Sequence, residues 1–335
     1  MKNSFTVLHN TLIVTLICCF LISSGCTKKE DNPIKFKTGT FPDTVQNLGS
    51  INSQFDDYNI DCYKLGGNGP VVFSSNRNSS GGQFDLVQGN ITFSFDQTNG
   101  EFEMTTSTGN DPFLTTLLEK AKTPGNDFGP YRFFSTSDGY EYLVLSSVNS
   151  QGNLDLYYLR NRPQFSQSIP AIEGPVPVSI LNSGSDDAYF SFDLNQDTAY
   201  FCSSRGGNFD IYMKKKNADT EMSTWFIQNP EPATLVDSLN STSDDKCPQV
   251  MNRIMVFSSN RPGGIGGYDL YYSVFDKGKW GKPVNFGPRI NTAANEYRPV
   301  IGWQEDFTNY FMMFSSDRPG GMGGYDLYFT GVDLR

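Results

Sequence analysis

The stretch Val256-Phe257-Ser258-Ser259-Asn260-Arg261-Pro262-Gly263-Gly264-Ile265-Gly266-Gly267-Tyr268-Asp269-Leu270-Tyr271-Tyr272 returns almost unchanged as Met313-Phe314-Ser315-Ser316-Asp317-Arg318-Pro319-Gly320-Gly321-Met322-Gly323-Gly324-Tyr325-Asp326-Leu327-Tyr328. Three looser copies precede them, running Phe73 to Leu86, Leu145 to Tyr157 and Phe201 to Tyr212. The aspartate that opens each Asp-Leu/Ile element falls at Asp85, Asp155, Asp210, Asp269 and Asp326, giving spacings of 70, 55, 59 and 57 residues. Self-similarity at such a period names a repeat architecture before any single residue is interpreted.

Each unit is an aromatic run, a Gly-rich turn and a second aromatic run, with no amphipathic helical period between them. That pattern reads as strand, loop, strand. Units of this length, each a small antiparallel sheet, fit the blades of a propeller rather than a helical solenoid. The wording Phe-Ser-Ser-(Asn/Asp)-Arg-Pro-Gly-Gly…Tyr-Asp-Leu-Tyr resembles the WD40-like (PD40) propeller repeats of the TolB-type family. The resemblance spans residues 41–335 and weakens in copy two, where Val148 replaces the Arg.

A second signature precedes each inner strand: Asn-Ser/Thr, with an acid five residues after the Asn. It marks Asp57, Asp187, Asp245 and Glu296, while copy two keeps only Asn126-Asp127. The last unit ends at Arg335 without an outer strand, and residues 41–52 read like the outer strand at 282–291. The expectation is an all-β, single five-bladed propeller, closed by an N-terminal strand (41–52) that completes the last blade and removes exposed sheet edges. Trp225 and Trp280 are expected on outer strands. Asn110-Asp111-Pro112 reads as the cap of a short helix between copies one and two.

Residues 1–25 read as an export signal: Lys2, an apolar run from Leu12 to Ile22, then Ser23-Ser24-Gly25 before Cys26. The ending resembles a bacterial lipobox, although Leu is commoner than Ser at position 23. The resemblance implies a lipid on Cys26, a tether over residues 26–40 and a cell-envelope lipoprotein. It further implies an outer-membrane anchor on the periplasmic or surface side, as in Bacteroidetes-type bacteria. The alternative is an ordinary signal peptide cut nearby. The formal charge is −10, which argues against nucleic acid as a partner. The single histidine, His9, lies in the expected signal, so no imidazole-based triad or zinc site is expected.

In the blade scheme the five acids (Asp57, Asp127, Asp187, Asp245, Glu296) and the arginines (Arg77, Arg205, Arg261, Arg318) meet on one face. Because every blade repeats them, together with Asp85, Asp155, Asp210, Asp269 and Asp326, the expected role is structural: Arg forks on carboxylates and Ser hydroxyls on backbone groups. A cation held by the acid ring is the alternative, which four arginines among the acids disfavour. Asp193-Leu194-Asn195-Gln196-Asp197 mimics half a calcium loop but suits a hairpin turn. Cys62, Cys202 and Cys247 are expected as buried thiols.

Tyr58, Tyr131, Tyr189 and Tyr297 begin inner strands, and Trp303 follows the last one. All five are candidates to stack on a ligand at the channel mouth, or else wedge packing between blades. Neither a cofactor nor a metal is expected. The functional expectation is a non-catalytic binding or scaffold module for a protein or glycan partner. The alternative is a glycan-processing enzyme with carboxylates at the channel mouth, Glu305 and Asp306 being the acids outside the repeat set.

Overall fold

The computed structural model describes residue 36 and residues 39–62, 68–163, 170–303, 310–332 and 334. The expected export signal, Cys26 and most of the tether lie outside the described residues, as do Glu305 and Asp306. Five antiparallel sheets account for the described strands, one per repeat. Blade one runs Asp57–Cys62, Gly69–Ser75, Asp85–Phe95 and Phe102–Thr108 from inner to outer edge. Blade two runs Asp127–Phe134, Glu141–Val148, Leu154–Asn161 and Ile172–Pro177. Blade three is Asp187–Phe192, Thr198–Ser203, Asp210–Lys215 and Thr234–Leu235. Blade four is Asp245–Met251, Ile254–Ser259 and Asp269–Asp276, whose last strand pairs with both Lys279–Trp280 and Val284–Asn285. Blade five is Glu296–Gly302, Tyr310–Ser316 and Asp326–Val332, and its outer strand is Gln46–Asn47, paired Gln46↔Phe329 and Asn47↔Tyr328.

Each inner strand carries a register shift against its neighbour, opening after the residue that follows the acid. The residue two past the acid then has a positive φ in all five copies: Asn59 (61°), Gly129 (56°), Tyr189 (58°), Cys247 (58°) and Arg298 (49°). Four of these are not glycine, and such backbone persists only where neighbouring contacts over-determine it. The contact is visible: the freed N–H of Asn59, Tyr189 and Arg298 donates to the hydroxyl of Ser315, Ser146 and Ser258 on the preceding blade, each at 3.0 Å. At these three junctions the first serine of the Ser-Ser pair therefore staples one blade to the next. The second serine serves the acid described below.

Hydrophobic wedges fill the spaces between sheets. Between blades five and one, Phe73, Phe93, Phe102, Phe311 and Phe329 are all buried, with Phe93 and Phe311 centroids 4.8 Å apart. Aromatic pairs of this kind add about 0.5–1.5 kcal/mol each beyond the area they bury. The helix Pro112–Ala121, capped by Asp111 accepting from the Leu114 N–H at 2.8 Å, packs Leu114, Leu117 and Leu118 against blades one and two. Trp225 departs from the expectation of an outer strand. It lies in the short helix Met222–Phe226, because Met222, Trp225 and Phe226 find a buried seat against Phe190, Phe192 and Tyr142 that a solvent-edge strand does not offer.

Candidate functional site

Four of the inner-strand acids are fully buried and each meets a guanidinium. The pairs are Arg77–Asp57, Arg205–Asp187 and Arg261–Asp245, each at 2.5 Å, and Arg318–Glu296 at 3.1 Å. Each Arg also donates to a backbone carbonyl: Ile51, Leu181, Leu239 or Ile290. Its Nε reaches the second serine, as in Arg261 to Ser259 at 2.9 Å. The acid accepts two more bonds from the Asn-Ser/Thr turn, as Asp245 does from the Ser241 N–H at 2.6 Å and hydroxyl at 2.8 Å. The buried charges are thus paired and their lone pairs occupied, as burial of an ion requires.

The third-strand acids do not face these arginines. Asp269 accepts from the Ile265 N–H at 2.6 Å, the Gly266 N–H at 3.1 Å and Asn285 Nδ2 at 2.8 Å. Asp326 is held in the same way by Met322, Gly323 and Asn47. The glycine run wraps a carboxylate so closely that a Cβ on Gly264 would meet an Asp269 oxygen at 2.6 Å. A Cβ on Gly266 would overlap the carbonyl oxygens of Thr292 and Ala294 in blade five, and one on Gly323 the carbonyl of Phe55 in blade one. Close passage explains these glycines, and the second contact also fastens the last repeat to the first.

Blade two breaks the pattern. The pairing Asp127↔Ser147 puts Asn149, rather than the expected Val148, where the Arg would be, so Asp127 meets no guanidinium and is held by Thr123 (N–H at 3.1 Å, hydroxyl at 2.8 Å) and Ser147. Burial raises its carboxyl above the ordinary carboxylate range against these hydrogen bonds. The pairings Asp127↔Ser147 and Ser147↔Asp155 place Asp155 two strands away on the same edge. Asp155 Oδ2 accepts from Asn149 at 2.9 Å, while its buried Oδ1 has no hydrogen-bond partner. Burial raises this carboxyl too, and the negative charges of Asp187 and Asp186 add to the shift. In blade one, by contrast, Asp85 faces Lys122 at 2.8 Å. Asp210 is also raised, by burial and then by the charge of Asp245.

Around the same end of the axis lie half-buried aromatic rings: Tyr58, Phe84, Phe128, Phe209, Tyr268, Tyr297 and Tyr325. Tyr58 lies 5.0 Å from Phe84, 5.8 Å from Phe128 and stacks on Tyr325 at 5.5 Å. Tyr297 packs edge-on to Tyr268 at 5.3 Å, and Lys246 Nζ sits 4.1 Å over Phe209. The signal for this floor is the aromatic preceding the Asp-Leu/Ile motif in four of the five copies (Phe84, Phe209, Tyr268 and Tyr325) and the aromatic following the inner-strand acid in three (Tyr58, Phe128 and Tyr297).

Of the five residues expected to stack on a ligand, Tyr58 and Tyr297 belong to the floor. Tyr131 and Tyr189 are 3% and 6% exposed and do not reach solvent as a stacking surface. The bulge explains both: it draws Tyr189 into the axis over Gly129, where a Cβ would meet its ring at 2.6 Å. It leaves Tyr131 deeper, where its hydroxyl accepts from the Phe192 N–H at 3.0 Å. Trp303 is exposed but follows the inner strand of blade five, a strand length away from the floor.

Asp193 to Asp197 forms a hairpin turn in which Asp193 Oδ1 accepts from the Asp197 and Thr198 N–H groups. Burial first, and then its neighbour Asp197, raise Asp193 to about 6. The turn edges a groove of about 830 Å³ between blades three and four, lined by Tyr200, Met213, Phe275 and Trp280. Cys202 and Cys247 are buried free thiols and Cys62 is half-buried. Among the described residues, no group of three or more Cys, Asp or Glu side chains is arranged to hold a metal ion.

No family model matches this chain, and no curated protein matches its sequence. Solved structures do resemble the fold. An α-L-arabinofuranosidase from Podospora anserina, solved with cellotriose, superposes with a TM-score of 0.52 at 12% identity over 88% of this chain and 98% of its own. An endo-arabinase from Bacteroides thetaiotaomicron gives a TM-score of 0.49 at 12% identity, covering 85% of this chain and 99% of that one. TolB from Acinetobacter baumannii gives 0.34 at 11% identity, covering 79% of this chain and 52% of that one. The expectation of a non-catalytic scaffold is corrected here: the solved structures that share this fold are mostly arabinanases and arabinofuranosidases, a likeness that shows the fold.

Proposed function

We propose that this chain is a glycan-processing protein whose substrate lies on the aromatic floor, with the blade-two carboxyls beneath it. The observation that carries the reading is the lost Arg, with Asn149 in its place, which leaves Asp127 and Asp155 on one edge with no guanidinium between them. Half-buried Tyr and Phe faces suit the apolar faces of sugar rings. Asp155, with a free buried oxygen and a raised pKa, takes the role of proton donor to the leaving oxygen. Asp127 supplies the second carboxyl. Two strand spacings put their Cα atoms about 10 Å apart, from which side chains can span the roughly 6.5–9.5 Å of an inverting pair. The fold likeness to an arabinofuranosidase makes plant arabinans and arabinoxylans the first substrates to try.

The test is product release from a panel of arabinan, arabinoxylan, galactan and β-glucan by the purified protein. Turnover that drops about 10²–10⁴-fold in Asp155→Asn, the range of general acid catalysis, supports the assignment. Absence of turnover across the panel, or wild-type rates in Asp155→Asn, refutes it.

We further propose a WD40-like repeat protein of the cell envelope, held at the outer membrane by a lipid on Cys26. The support is the sequence before and at Cys26 together with the repeat wording. Metabolic fatty-acid labelling that persists in Cys26→Ser would overturn the anchor.

A further inference from the structure

Arg298 is one of the largest fully buried side chains in the protein. It leaves the inner strand of blade five and crosses to blade two, where Nη2 donates to the Pro130 carbonyl at 3.0 Å. On the way its guanidinium passes 5.6 Å from the Tyr189 ring of blade three. Contacts to two non-adjacent blades place it on the propeller axis. Its Nε and Nη1 are buried and have no hydrogen-bond partner. No carboxylate among the described residues lies within ion-pair distance of it. The equivalent position of the neighbouring blade one is Asn59, wholly buried, with both Nδ2 and Oδ1 unpartnered.

We propose that the axial channel binds one small monovalent anion of halide size, held by Arg298 Nε and Nη1 and by Asn59 Nδ2. A buried guanidinium without a counter-charge is the arrangement least tolerated in a protein interior, and unpaired N–H groups add to the cost. Among the described residues, the other buried charged groups of the inner strands beyond the opening acids are Asp61 and Arg132, whose side chains face each other at 3.7 Å. Within that layer the described residues leave Arg298 in excess by one positive charge. The remaining titratable neighbours cannot balance it at neutral pH. Burial pushes the Cys247 thiol up to about 12, and it raises the Tyr131, Tyr189 and Tyr297 phenols as well, so all four are uncharged. The single excess charge selects a monovalent ion over sulfate or phosphate. The enclosure selects a small one, since Tyr189, Cys247 and Gly129 fill the same layer. The proposal is independent of the glycan reading, because the site lies beneath the aromatic floor.

The experiment compares bromide, chloride and gluconate at constant ionic strength on the wild-type chain. Crystals grown with bromide should show an anomalous peak within hydrogen-bonding range of Arg298 and Asn59. The melting temperature should rise saturably with halide and stay flat in gluconate. Asn59→Ala should raise the half-saturating bromide concentration about tenfold, the loss of one charge-assisted hydrogen bond. Arg298→Met should abolish the response, and if that variant fails to fold, the Asn59→Ala titration and the anomalous peak still decide. Water without anomalous signal at that position, or equal melting in all three salts, overturns the proposal.

Discussion

Arg261→Ala tests whether the repeated Arg–acid pairs hold the propeller together. Arg261 Nη2 lies 2.5 Å from Asp245, which is fully buried, while the Arg side chain is 16% exposed. Truncation leaves Asp245 charged in the interior with only the Ser241 N–H and hydroxyl as donors. It also strips the Leu239 carbonyl of its 2.6 Å donor and removes the guanidinium from over Phe257 and Tyr271. Removing one partner of a buried pair costs about 3–5 kcal/mol, and the two surviving bonds argue for the lower end, about 3 kcal/mol. At about 2–4 °C per kcal/mol for a chain of this order of size, melting should fall by about 6–12 °C. Differential scanning calorimetry reads the shift. The double variant Arg261→Leu/Asp245→Asn removes the stranded charge and should recover part of the loss. A melt unchanged within about 1 °C in Arg261→Ala, far below the expected shift, would refute the structural role.

Three more outcomes follow from the same geometry. Because burial raises the Asp127 carboxyl, the folded state binds that proton more tightly than the unfolded chain. Stability is therefore full below the ordinary carboxyl value near 3.9 and is lost as pH rises through the folded value. Asp127→Asn should gain on the wild type across that window in melts taken from pH 3 to 7, and an opposite slope would contradict the assignment. Gly266→Ala should destabilise by about 1–3 kcal/mol through overpacking, since its Cβ would overlap the Thr292 and Ala294 carbonyls. Gly184→Ala, at a position with open space and no positive φ, serves as the comparison in a denaturant titration. In protein lacking residues 1–35, Cys62 should react with a thiol reagent at pH 8. Cys202 and Cys247, buried and with thiols pushed upward, should react only after denaturation.

The repeat grammar made the architecture legible. Two near-identical copies and three looser ones specify five blades because each Asp-Leu/Ile strand needs the same neighbours. The helix after Asp111 was legible from its cap. Trp225 was misread, since a Trp with a nearby Pro looks like an outer strand when only local pattern is consulted, and its buried seat depends on blade-two residues distant in sequence. The juxtaposition of Asp127 and Asp155 was not legible: repeated acids look structural one by one, and the missing Arg of copy two registers only as a weaker motif until the two are seen on one edge.

By itself the sequence determined the number of blades, the periodic Arg–acid pairs and the glycines that let loops pass closely, because these depend on contacts that recur from repeat to repeat. Only the tertiary structure decided what occupies the axis. There each blade contributes one different residue, Asn59, Gly129, Tyr189, Cys247 or Arg298, and a positive-φ bulge turns all five toward a common centre. Their chemistry is set by which side chains meet across the ring, and residues far apart in the chain carry no local pattern that records such a meeting.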